Sequence, residues 1–156
     1  MTAWTEHLAR MGATLDETAR SIAFASPADE ARATETATIA VPLLHLGTIR
    51  SQGPDSAAFL HNLVSNDVKH MEADTAAWNS FNSPKGRMIA SFLVWTEEGG
   101  HALALSADIL PAFLKKFSMY VLRSKVKLAD ASAEVALIGL AGPQAVAIAQ
   151  AAGAAL

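Results

Sequence analysis

The sequence has no cysteine, which excludes disulfides and cysteine-ligated iron–sulfur clusters within its 156 residues. It also has no long apolar run. No stretch approaches the roughly 20 residues that cross a bilayer, and no basic region followed by an apolar core opens the chain. There is no Gly-x-Ser-x-Gly element and no glycine-rich loop ending in Lys-Ser or Lys-Thr, so two common catalytic and phosphate-binding devices are absent. The five histidines, His7, His45, His61, His70 and His101, share none of the spacings of helix or strand metal sites, and no metal is expected. Positive charge is scarce: 12 Lys and Arg stand against 15 Asp and Glu, a net of −3. A nucleic-acid surface spread over the chain is therefore disfavoured, although a local basic patch is compatible. These absences lead to the expectation of a soluble cytoplasmic protein with no membrane partner and no evident direct contact to nucleic acid.

What is present is apolar: 51% of residues, enough for one full domain or a domain and the start of another. The most informative stretch runs from Phe81 to Trp95. Asn82, Ser83, Pro84 and Gly86 make a turn, with Lys85 and Arg87 flanking the glycine. Met88 to Trp95 follows as a strand with Met88, Ala90, Phe92 and Val94 on one face and Ile89, Ser91, Leu93 and Trp95 on the other. Both faces are mostly apolar, which predicts a strand covered on both sides. A basic turn feeding a buried strand suits an anionic small molecule, and equally a solvated hairpin with two surface charges.

Taken in order, Thr2 to Met11 reads as a helix ended by Gly12, and Ser21 to Ala25 as a short strand. Ser26-Pro27-Ala28-Asp29-Glu30 is a helix start, with Ser26 as N-cap and Pro27 in the first turn. That helix runs to Thr36, and an extended piece ends at Pro42. Leu43 to Ser51 reads as a strand that includes His45. Gly53-Pro54-Asp55 opens a helix presenting Phe59, Leu60, Leu63 and Val64, stopped by Ser65-Asn66-Asp67. Ala76 to Phe81, Met88 to Trp95 and His101 to Ser106 are strands, the last two joined at Gly99. Ser106 or Asp108 caps a helix with Leu110, Phe113, Leu114, Phe117 and Val121 at helical spacing. A strand through Val126 and Leu128 follows, then a strand at Val135 to Leu140 and a helix opened by Gly142-Pro143-Gln144. The fold class expected is α+β, a ferredoxin-like split β-α-β domain followed by the start of a second unit. The expected division is an N-terminal extension over 1–42, the ferredoxin-like domain over 43–134 and a truncated second unit over 135–156.

The candidate binding residues follow from chemistry. Asn66 and Asp67 offer an amide and a carboxylate in a short loop, which can read a polar heterocycle edge or simply stop a helix. Lys85, Gly86 and Arg87 form the basic turn. Arg123 and Lys125 lie where a helix meets a strand, as ligand contacts or as solvated charge near a helix end.

Four segments, in this order, resemble the folate-binding proteins of the YgfZ type. They are Leu44-His45-Leu46-Gly47-Thr48-Ile49 with Gly53-Pro54-Asp55-Ser56, then Leu63-Val64-Ser65-Asn66-Asp67-Val68, then Asn82-Ser83-Pro84-Lys85-Gly86-Arg87-Met88, then Leu122-Arg123-Ser124-Lys125-Val126. That family is similar in fold to the T-protein of the glycine cleavage system, a folate-dependent aminomethyltransferase. The resemblance implies tetrahydrofolate as cofactor, a ring of domains around it, and links to iron–sulfur cluster assembly or repair and to tRNA modification. It implies partners too: folate, iron–sulfur proteins, and the C-terminal domains of a longer form. Its Lys-Gly-Cys-…-Gly-Gln-Glu signature is absent here, so the likeness covers the N-terminal half. Carried over, Asn66 and Asp67 fall on the pterin side and Lys85 and Arg87 on anionic groups, with Arg123 and Lys125 in the same electrostatic role. The T-protein likeness places an acid on the strand after the glycine turn, where this chain has Ala90 and Ser91. No catalytic residue is therefore expected, and an aminomethyltransferase or demethylase using Asp67 is the alternative.

Overall fold

The computed structural model describes residues 3–16, 18 and 20–154. The first elements are α1 (Ala3–Arg10), β1 (Thr14–Asp16), β2 (Ser21–Ala23), α2 (Pro27–Thr36) and β3 (Ile39–Pro42). Next come β4 (Leu46–Gln52), α3 (Ser56–His61), β5 (Ala76–Asn82), β6 (Met88–Glu97) and β7 (Gly100–Ser106). The chain continues through α4 (Leu110–Ser118), β8 (Lys127–Asp130), β9 (Ile138–Ala141) and α5 (Ala145–Ala151). These residues form two compact units, Leu46–Val135, and Met1–His45 with Ala136–Leu156.

In the unit built from both ends of the sequence, β1 pairs with β2 and β3 with β9, both antiparallel. The expected cap of α2 is present: the Asp29 N–H donates to Ser26 Oγ at 3.2 Å and Pro27 occupies the first turn. The strand at β9 thus finds its partner in β3, about a hundred residues earlier, rather than in a sheet of its own.

The Leu46–Val135 unit is one antiparallel sheet in the order β5-β6-β7-β4-β8. β7 lies between β4 and β6, so β4 and β6 run parallel with an antiparallel strand between them, the split β-α-β arrangement, and β5 adds an edge. The register puts Asn79, Phe81, Phe92, Val94, Leu103, Leu105 and Ile49 on one face. Both α3 and α4 deliver their apolar stripes there: Phe59 and Leu60 from the first, Leu110, Phe113 and Phe117 from the second. The mixed α+β class and the single helical layer agree with the sequence pattern.

The opposite face of β6 departs from the expectation. Ala90, Phe92 and Val94 are buried, but Ile89, Leu93 and Trp95 are only half-buried and Ser91 is exposed. Apolar composition alone does not reveal which side a helix will take. Three local features also differ from the sequence pattern. His45 lies in an exposed turn before β4, because pairing with β7 begins only at Leu46. α3 ends at His61; Leu63 and Val64 continue in a turn and reach the core from there. The N-cap of α4 is Ile109, with no side-chain cap bond, so neither Ser106 nor Asp108 performs that role.

Gly53 explains how β8 closes the sheet. It has φ +130°, and a Cβ there would stand 2.2 Å from the Lys125 carbonyl oxygen. Asp55 completes the junction by accepting the Lys125 N–H at Oδ2, 2.6 Å away. Two substitutions test this packing in urea unfolding. Phe117→Ala, removing a fully buried ring, is expected to cost roughly 3–5 kcal/mol. Gly53→Ala is expected to destabilise as well, through strain at positive φ and collision with backbone that cannot turn aside.

Candidate ligand-binding site

Phe81, near the end of β5, organises the surroundings of the basic turn. Its ring meets Phe113, Phe117 and Tyr120 edge-on, with centroids 5.8, 5.3 and 5.4 Å away. Its backbone forms a bridge with Val64. The segment after α3 and the end of α4 are thereby brought to the same corner of the sheet as the β5–β6 turn.

The turn itself is stiff. The Gly86 N–H donates to the Ser83 carbonyl at 2.9 Å, the Ser83 N–H to the Arg87 carbonyl at 2.8 Å, and the Arg87 N–H to Ser83 Oγ at 3.1 Å. Gly86 has φ +74°, which glycine adopts without a Cβ penalty. Lys85 and Arg87 are exposed, and neither side chain forms an ion pair with another described residue.

Asn66 and Asp67 lie along the outer edge of β5, and their side chains are largely spent on the chain itself. The Asn66 N–H donates to Asn79 Oδ1 at 2.8 Å, and Asn66 Nδ2 donates to the Trp78 carbonyl at 2.6 Å. Asp67 Oδ1 accepts the His70 N–H at 3.0 Å, and Oδ2 accepts from His70 Nδ1 at 2.7 Å. His61 Nδ1 also lies 3.1 Å from Asp67 Oδ1, without hydrogen-bond geometry. The side-chain bond from His70, then its backbone bond, hold the Asp67 carboxyl down at about 2. At that value it is a poor base near neutrality.

Arg123 and Lys125 are exposed, and Lys125 does not join the turn in one site. Lys125 precedes Lys127, which pairs with Gln52 at the end of the sheet where β6 joins β7. The basic turn is at the other end of β6 and near the opposite edge. Three strand spacings and most of a strand length separate Lys125 from the turn, on the order of 30 Å.

Several participants carry little signal in the sequence. Trp78 projects from the face of the sheet opposite α3 and α4 and is 68% exposed. The register aligns it with Leu93, Ala104 and Thr48, and exposure falls along that row to 7% at Ala104 and 1% at Thr48. Near the β5 edge this face therefore offers a half-open apolar wall, with Trp95 in the next row and Ser80 opposite Ser91. Arg50, on the same face, is held by Glu97 at 2.8 Å and by Glu134. Glu97, as hydrogen-bond partner and then as charge, raises the Arg50 pKa, so this cation is committed internally. On the helix side, Ser56 Oγ donates to the Ser51 carbonyl at 2.8 Å and lies 2.9 Å from His101 Nδ1. Both residues are buried, and burial lowers the His101 pKa.

The two shifts predict separate acid transitions. His101, depressed below its ordinary 6.5, contributes stability above that value that is lost as pH falls through the folded pKa. Asp67, depressed from 3.8 to about 2, contributes stability present above 3.8 and lost between there and about 2. Urea midpoints measured against pH should fall first below about 6.5 and again below about 4. Asp67→Asn should flatten the second decline and leave the first.

Comparison with known proteins agrees with this architecture. An aminomethyltransferase T of the glycine cleavage system from Bartonella henselae superposes with a TM-score of 0.74 over 98% of this chain and 43% of its own, at 17% identity, a likeness of fold. The mitochondrial iron–sulfur cluster assembly factor IBA57 homolog of Mycosarcoma maydis is 35% identical over 106 residues, 58% of this chain and 26% of that protein. The tRNA-modifying protein YgfZ of Vibrio vulnificus is 30% identical over 108 residues, 69% of this chain and 33% of its own length. An aminomethyltransferase of Shouchella clausii is 29% identical over 107 residues, 68% of this chain and 29% of its own. The matched region thus spans about a third or less of these curated relatives. Residues 3–155 match the GCVT N-terminal domain, and the chain belongs to that family.

Proposed function

We propose that this chain forms part of a tetrahydrofolate-binding accessory protein linked to iron–sulfur cluster assembly or repair, and that it does not catalyse aminomethyl transfer. The observation that carries the choice is where the carboxylates are. β6, which follows the glycine turn, has buried Ala90 and exposed Ser91 and no acid before Glu97. Glu97 is engaged with Arg50, and Asp67 is clamped by His70 with its pKa at about 2. Neither is suited to exchange a proton with a reacting amine near neutral pH. The name of the fungal relative supports the accessory role, and the named aminomethyltransferases support the alternative.

The donor set fits a folate. Trp78 and Leu93 supply a flat apolar wall on the open face of the sheet, Asn66 keeps its Oδ1 at the edge while its Nδ2 is bonded to the Trp78 carbonyl, and Lys85 and Arg87, with no ion pair to a described residue, supply cations for carboxylates. Tetrahydrofolate, when bound, carries one-carbon units. The chain's own residues would hold its ring against the wall and its charged end near the turn. A wall open to solvent on one side buries only part of such a ligand, and the remaining cover would come from the C-terminal domains of a longer form. An iron–sulfur protein would be the client.

Titration calorimetry of the 156-residue chain tests the binding role. Affinity for tetrahydrofolate should be no tighter than micromolar, and Lys85→Gln with Arg87→Gln should weaken it by about three- to tenfold, the scale of two exposed ion pairs. Unchanged affinity would remove the turn from the site, and a sub-micromolar constant would make the pocket local to this chain. Aminomethyl transfer at T-protein-like rates, abolished by Asp67→Asn, would instead establish the enzyme.

A further inference from the structure

The C-terminal end of α4 carries a surface that the folate reading does not use. Leu122 has φ +43°, in the left-handed region where glycine or asparagine normally ends a helix, and its side chain is 88% exposed. It therefore strains the backbone and puts an isobutyl group in water. The fold gains no burial from it. Met119, three residues earlier, is 65% exposed. The turn that holds Leu122 is fixed by hydrogen bonds from the Tyr120 N–H to the Phe117 carbonyl and from the Ser124 N–H to the Val121 carbonyl, at 3.1 and 2.8 Å.

Within the sequence segment the charge is of one sign, and the nearest acid shown beside it is Asp55, whose Oδ2 accepts the Lys125 N–H at 2.6 Å. No Asp or Glu occurs from Ile109 to Ala129, whereas Lys115, Lys116, Arg123, Lys125 and Lys127 do. Phe113 and Phe117 face the core, so Lys115 and Met119, four residues apart, share the outward face of α4. Arg123 lines an open cleft with Tyr120, Leu122 and Ser124. Lys127 pairs with Gln52 and points to the other side of the sheet from the core residue Leu128, so it lies apart from this surface. In a chain of net charge −3, the segment that carries the two exposed aliphatic tips thus also carries exposed Lys115 and Arg123 and half-buried Lys116, while Lys125 is seated beside Asp55.

We propose that this patch is a peripheral contact for an anionic lipid surface. Leu122 and Met119 enter the bilayer interface while Lys115, Lys116 and Arg123 remain among the headgroups. Cations behind protruding apolar side chains combine the two forces that hold proteins at such interfaces. A single-stranded nucleic acid would call for free aromatic platforms, but the Tyr120 ring already packs edge-on against Phe81. A surface contact of this kind needs no membrane-spanning helix, and no helix among the described residues is long and apolar enough to be one.

Co-sedimentation of the 156-residue chain with vesicles provides the test. The chain should bind phosphatidylcholine vesicles containing roughly 30% phosphatidylserine at least about fivefold more tightly than phosphatidylcholine alone, and high salt should remove the difference. Leu122→Gly is the informative variant, because glycine accepts this φ without strain. It should melt no lower than the parent and yet lose about fivefold or more in vesicle binding. Combined Lys115→Gln, Lys116→Gln and Arg123→Gln should abolish the preference for phosphatidylserine. Failure to bind the anionic vesicles, or equal binding by Leu122→Gly and the parent, would overturn the proposal. So would a tRNA mixture held equally by both proteins when the vesicles are not, since the patch would then be a general polyanion site.

Discussion

Edge-on contact between the Phe81 ring and the rings of α4 is the interaction through which the basic turn acquires a fixed position. β5 is an edge strand, and a two-stranded β5–β6 extension would be marginal by itself. Phe81 ties it to Phe113 and Phe117, which also meet each other and, through Phe117, Phe59 of α3. Aromatic pairs of this geometry contribute beyond the area they bury, about 0.5–1.5 kcal/mol each. The same residue bridges Val64 and so anchors the segment that delivers Asn66 and Asp67. A loosened cluster would therefore disturb the amide, the carboxylate and the cations together, without touching any of them.

How much of this was legible in the sequence depended on whether the cause was local. The α2 cap, the Gly86 turn and the Phe113–Phe117 stripe are set by neighbours a few residues apart, and all three appear where the pattern places them. His45 and the early end of α3 were misread because strand and helix limits depend on where the partner strand starts, which no local window contains. The open face carrying Trp78 was hidden for a related reason. Leu93 and Trp95 look as apolar as Phe92 and Val94, and only the placement of both helices distinguishes them. The engagement of Asp67 was hidden by conformation: a carboxylate three residues before a histidine is a common pattern, and the turn that closes it is not encoded in spacing alone.

Three acidic groups of the Leu46–Val135 unit are occupied structurally. Asp55 holds Lys125, Asp67 holds His70, and Glu97 holds Arg50. Each commitment fixes a junction of the sheet and lowers the availability of that group for chemistry. The cations of the turn show the converse: the backbone that carries them is fixed by Ser83, and among the described residues their charges meet no ion-pair partner. A surface organised in this way favours recognition over proton transfer.

The pairing of β3 with β9 has a consequence for the order of folding. Every residue of the Leu46–Val135 unit lies between these two strands in sequence, so one unit is inserted within the other. During synthesis the inserted unit is complete before β9 is available, while β3 must wait for a partner about a hundred residues away. Loop closure over that distance costs far less if the intervening chain is already compact. The inserted sheet thus serves as a folded spacer that brings the ends of the outer unit within reach, and its folding rate sets how long the apolar strand β3 stays unpaired.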